Sequence, residues 1–189
     1  MLNQLLKKVS PCRSHAAFAA VYGSELALTV TGEPSITAAD DCGFVFTSYN
    51  RLTDTGRMEY WVVKLDYEGN IEWQKAFGGV DNEWPSSVYS TDDGGYIVSG
   101  KSRSLGSVGG SEEDFWLLKL SSEGEVEWEK VYEGLGNECP FSCVQTADGG
   151  YIVAGRTSSF GAGSDDIWVL KLDASGDISW EKMYGGNQT

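Results

Sequence analysis

Residues 93–100 read DGGYIVSG and residues 148–155 read DGGYIVAG, nearly one octapeptide written twice at a spacing of 55. Working outward, three longer stretches follow the same plan. YWVVKLDYEGNIEWQKAFGG starts at Tyr60, FWLLKLSSEGEVEWEKVYEG at Phe115 and IWVLKLDASGDISWEKMYGG at Ile167. Trp61 and Trp73, Trp116 and Trp128, and Trp168 and Trp180 are each 12 apart, and the unit recurs after 55 and then 52 residues. A fixed period of this length marks a structural repeat, in which each unit needs a neighbour to bury its apolar face.

Each unit divides into four β-type runs separated by turn signals; in the second these are SSVYST, GYIVSG, DFWLLKL and EVEWEKVY. Asp93-Gly94-Gly95 and Ser122-Glu123-Gly124 read as tight hairpin turns, where glycine supplies a positive φ without steric cost. The third run is apolar on both sides, so its sheet must be covered on both faces. The fourth alternates, with Val126 and Trp128 opposed by Glu125, Glu127 and Glu129, as suits a charged edge strand that recruits no further strand. The six repeat tryptophans are expected in the core.

The expected fold is all-β, of β-propeller type, with three four-stranded antiparallel blades. The chain divides into an N-terminal segment, residues 1–32, and blades at 33–83, 84–138 and 139–189, all within one domain. Propellers hold four to eight blades, so three do not close a ring. The expected remedy is self-association, a homodimer completing a six-bladed ring; the alternative is a fragment of a longer propeller. A β-trefoil, also built from three four-stranded units, is the competing architecture.

The combined pattern, DGGYIVAG followed by DIWVLKLDASGDISWEKMYGG, resembles the tandem β-propeller repeats of bacterial and archaeal secreted or surface proteins. The resemblance covers residues 33–186. It implies the fold and an extracytoplasmic or cell-surface location, and no assigned activity. The first unit departs from the pattern, with Asp41-Cys42-Gly43-Phe44 where the others have Asp-Gly-Gly-Tyr.

A net charge of -14, from 14 basic and 28 acidic residues, argues against a nucleic-acid partner. No apolar run is long enough to span a bilayer. Lys7 and Lys8 precede an Ala-Phe-Ala at 17–19 in the outline of a secretory signal, but Pro11, Arg13 and His15 interrupt it. Cys12, Cys42, Cys139 and Cys143 lack zinc-ligand spacing and are expected as free thiols. Cys139 and Cys143 on one strand would lie about 13 Å apart, too far for a disulfide.

The longer loops gather at one end of the blades, the end where binding residues tend to collect. Arg51, Lys101, Arg103 and Arg156 place a cation just beyond each second strand, and Trp84 is the one tryptophan outside the repeat positions. These are the candidate binding residues, facing an anionic, glycan or protein partner; the competing reading pairs the cations with Glu112, Glu113, Asp165 and Asp166. No cofactor or metal is expected, since the acidic loop ends lack EF-hand spacing. His15, the single histidine, lies outside the repeats and gives no support to a nucleophile–base pair. The expected function is a non-catalytic binding or assembly module using the long-loop end. The alternatives are a glycan-active hydrolase or lyase at the same end, and a structural repeat of a surface layer or filament.

Overall fold

The computed structural model describes residues 29–30, 34–52, 54–106 and 112–186; His15, Cys12 and the candidate signal lie outside them. These residues form three antiparallel sheets and no helix. In sheet I, β3 (Phe44–Arg51), β4 (Met58–Leu65) and β5 (Ile71–Phe77) follow one another, and the first-strand place is shared by β1 (Thr29–Val30) and β2 (Ser35–Ala38). Sheet II runs β6 (Glu83–Ser90), β7 (Tyr96–Ser102), β8 (Asp114–Leu120) and β9 (Val126–Tyr132). Sheet III repeats it with β10 (Glu138–Gln145), β11 (Tyr151–Thr157), β12 (Asp166–Leu172) and β13 (Ile178–Tyr184).

Among the described residues no strand pairs across two sheets. A β-trefoil would join its hairpins into one barrel, so that architecture is not what the described residues form.

The opening octapeptide now has a local explanation. Gly94 and Gly149 take φ of 83° and 81°, which the hairpin requires. The aspartate before them accepts the amide of the next glycine, Gly95 to Asp93 at 3.0 Å and Gly150 to Asp148 at 3.0 Å. It also binds the lysine of the third strand, Asp93 with Lys119 and Asp148 with Lys171, both at 2.9 Å. Lys119 is buried to 1% exposure and also reaches Glu127 at 2.9 Å. Burial opposes ionisation of Asp93, but the Thr91 hydroxyl, Lys119 and the Gly95 amide hold its pKa down to about 2. The second glycine is needed because a Cβ at Gly95 would collide with the Leu120 carbonyl.

In the divergent first unit, Cys42 takes the turn place with φ of 74°. Cys42 is disulfide-bonded, which corrects the expectation that all the thiols are free; Cys139 and Cys143 are free. Cys42 sits half-buried in a turn, and nothing in the spacing of the cysteines reveals a partner.

Packing is face to face in chain order. Tyr60 and Val62 of sheet I share a core with Val98, Trp116, Leu118 and Leu120 of sheet II. Phe115 and Leu117, on the other face of β8, share a second core with Val153, Trp168, Leu170 and Leu172 of sheet III. Strand β8 is buried along its whole length, as its two-sided apolar pattern required. The fourth strands β5 and β9 are largely exposed edges.

Candidate functional site

The predicted site residues fall into separate groups. Trp84 of β6 pairs across the sheet with Lys101 of β7, one step past a bulge between Pro85 and Ser87. Lys101 Nζ lies 4.7 Å and Arg103 Cζ 5.2 Å from the centre of the Trp84 ring. Both cations also reach Glu113, Lys101 at 2.5 Å and Arg103 at 3.0 Å. Glu113 is 8% exposed, so this is an acid desolvated between two cations that are themselves stacked on an indole. Arg156, in the equivalent place on sheet III, sits 3.6 Å from Asp165. Arg51 is exposed and donates to the Gly56 carbonyl at 3.2 Å. The structure thus joins Trp84, Lys101 and Arg103, while Arg51 and Arg156 each stand on another sheet.

A second region follows from the unclosed row of three units. It is the face of sheet III turned away from sheet II, and its content is clearest from the two internal seams that use the same positions. At the seam between sheets I and II, the Tyr60 ring lies 4.4 Å from that of Trp116, and Tyr60 donates to the Trp116 carbonyl at 3.3 Å. Trp73 donates to the Ser122 carbonyl at 3.1 Å, and Lys75 pairs with Glu125 at 2.5 Å. Between sheets II and III, Phe115 lies 5.0 Å from Trp168 and Trp128 lies 5.5 Å from Tyr151. Lys130 there pairs with Asp177 at 2.9 Å, and Tyr132 donates to the Gly176 carbonyl at 2.7 Å. Burial first, then Asp177 and Asp173, push the Tyr132 pKa upward.

Sheet III carries a third set of these groups, facing no sheet among the described residues. Ile167 is 55% exposed, Tyr184 53% and Trp180 41%. Trp180 is therefore a correction to the expectation that all six repeat tryptophans lie in the core. Residue type alone cannot tell a seam tryptophan from an open one, because burial depends on a neighbouring sheet. Lys182 folds back over the Trp180 ring, 5.4 Å from its centre. A cavity of about 500 Å3 opens on this face, lined by Phe141, Arg156, Asp165, Asp166, Ile167 and Tyr184.

Carboxyl groups mark each seam as well. Glu83 and Glu138, the first residues of β6 and β10, are fully buried. Glu83 accepts from the Ser102 and Ser104 hydroxyls, and Glu138 from Thr157 at 3.0 Å and from Ser159. Each meets an acid of the preceding sheet. Burial first raises the Glu83 pKa, and the Glu59 charge adds to it. Asp114 is pushed up to about 6, by burial first and then by Glu138 and Glu133. The equivalent acid of sheet III is Asp166, 4% exposed, and neither of its carboxylate oxygens has a hydrogen-bond partner. Sequence offered one signal for this pattern: the Asn-Glu pair at 82–83 and again at 137–138.

The free thiols are poor nucleophile candidates. Burial raises the Cys143 pKa to about 11 and also raises that of Cys139. No protein-family model and no curated protein sequence matches the chain.

Proposed function

We propose that the protein is a non-catalytic assembly module of β-propeller type, in which three sheets stand as consecutive blades and the outer face of sheet III is the working surface. The observation that carries the reading is the third connector set: Ile167, Trp180 and Tyr184 are open to solvent where Tyr60, Phe115 and Tyr132 are buried. An apolar face of this kind, rimmed by polar groups, is the usual mark of an interaction surface. The long-loop end contributes through Arg156 and Asp165, which border the same cavity. Lys101 and Arg103 already neutralise Glu113, which leaves them less charge to offer an outside anion.

Against the hydrolase alternative stands the location of the shifted acids. Glu83 and Asp114, whose pKa values are raised, stand at the loop-side ends of β6 and β8 but are packed into the seams between sheets, 0% and 3% exposed. The homodimeric six-bladed ring would dock this face on sheet I of a second copy, at Trp61, Val63 and Leu65. Those three residues are already buried in the single chain, so the reading retains assembly and drops that particular closure.

Light scattering over a concentration series tests the reading. The wild-type chain is expected to associate reversibly, and an Ile167→Lys, Tyr184→Lys double variant with unchanged circular dichroism to remain monomeric. A wild type that stays monomeric throughout, or a variant that associates equally well, overturns it.

A further inference from the structure

We propose that the open face of sheet III receives a further sheet of the same repeat, entered by an Asn-Glu pair and carrying an acid directly after its last-hairpin glycine. This deepens the assembly reading and rests on it. Both internal seams specify the occupant. The Asn of each pair clamps the third strand of the preceding sheet: Asn82 Oδ1 accepts from the Met58 amide at 2.9 Å, and Asn137 Oδ1 from the Glu113 amide at 3.0 Å. The Glu of each pair then sets its buried carboxyl beside Glu59 or Asp114. On sheet III the equivalents of the clamped residue and the paired acid are Asp165 and Asp166, both lining the cavity. Asp166 is buried with both oxygens unpartnered, the position a carboxyl group fills at the two closed seams.

Charge complementarity adds a second constraint. Lys75 and Lys130 each reach across to the acid that follows a positive-φ glycine, Gly124-Glu125 and Gly176-Asp177. Lys182 holds the same place on β13 and rests on Trp180. The occupant must also be smooth opposite Ile167. Gly100 and Gly155 stand at that place in sheets II and III, where an added Cβ would strike Tyr60 or Phe115.

A second copy of this chain offers no sheet that meets these terms, so self-association of the wild type brings two open apolar faces together without completing a seam. By register, Val30 stands in sheet I where Glu83 and Glu138 stand in the others. Ser48 replaces the smooth glycine and Asn70 the acid after the hairpin glycine. Glu83 and Glu138 of a second copy are engaged in its own seams.

The test extends the full chain after Gly186 with a copy of residues 80–134, which supplies a copied Glu83 and a copied Glu125. Amide exchange in β13 is expected to slow at least roughly tenfold, the sign that its outer face has been covered. Lys182→Glu in the extended chain should reverse that gain, and Lys182→Glu combined with the copied Glu125→Lys should restore it. Replacing the copied Glu83 by Val should also weaken protection. An appended sheet that leaves β13 exchange unchanged overturns the proposal, as does protection indifferent to both the charge swap and the copied Glu83. If wild-type association through Ile167 and Tyr184 persists in either case, the assembly reading survives and only the identity of the occupant falls. If that association is absent too, both fall.

Discussion

Phe115 and Ile167 hold the same place in successive units, yet the first is fully buried and the second is 55% exposed. Around Phe115 the neighbouring sheet supplies Trp168, a flat backbone at Gly155, an acid for Lys130 and a carbonyl for Tyr132. Around Ile167 the same outgoing groups exist, and among the described residues nothing receives them. The lesson is that each unit encodes two different faces, a donor and a receiver, and that stability at a seam belongs to the pair. A face bearing aromatic groups, a lysine and a buried acid is thus only half of an interaction.

The largest difference between the two positions is expected on truncation to alanine. Phe115→Ala is expected to cost about 3–5 kcal/mol in urea unfolding, whereas Ile167→Ala should cost less than about 1 kcal/mol. Equal losses would mean that the open face is covered after all. Next in size, Gly155→Val drives a side chain into the Cys139 carbonyl and the Phe115 ring and should cost about 1–3 kcal/mol. Gly186→Ala, with nothing within 4 Å of the new methyl, should leave the same measurement unchanged.

A pH series sharpens the contrast between paired and orphan acids. Asp114 has a folded pKa of about 6 against an ordinary 3.8, so the folded state keeps a proton that the unfolded chain has released. The stabilisation from this site is fully present below the ordinary value and is lost as pH rises through 6. Asp114→Asn should therefore flatten the fall in melting temperature over that window and leave the protein more stable than wild type at neutral pH. The smallest expected effect is at the rim. Lys130→Ala removes an exposed ion pair and should cost about 0.2–1 kcal/mol, while Lys182→Ala should be neutral until a partner sheet is present.

Much of the architecture was legible because turns and strands are local. Asp-Gly-Gly, the two-faced apolar run and the charged fourth run each report on a few neighbouring residues, and β7, β8 and β9 fall where those signals put them. The bulge at Pro85 and the split of the first strand of sheet I into β1 and β2 were not legible, since both depend on pairing across a sheet. The candidate site was read less well. Cations beyond the second strand were visible as a recurring residue type, but their engagement with Glu113 and Trp84 needed the strand register. Lys119 passed as part of an apolar run, although it is the buried hub joining Asp93 to Glu127.

Hairpin glycines and side-chain alternation act within a few residues of each other, so the threefold repeat of antiparallel β units, fifty-odd residues each, is written in the chain. Which atoms satisfy each repeated group came from the packing of one sheet on another. Trp73, Trp128 and Trp180 are alike in sequence context, and so are Glu59, Asp114 and Asp166 in position. Their environments differ because burial and ion pairing are properties of two sheets in contact, and among the described residues the third unit packs against a sheet on one side.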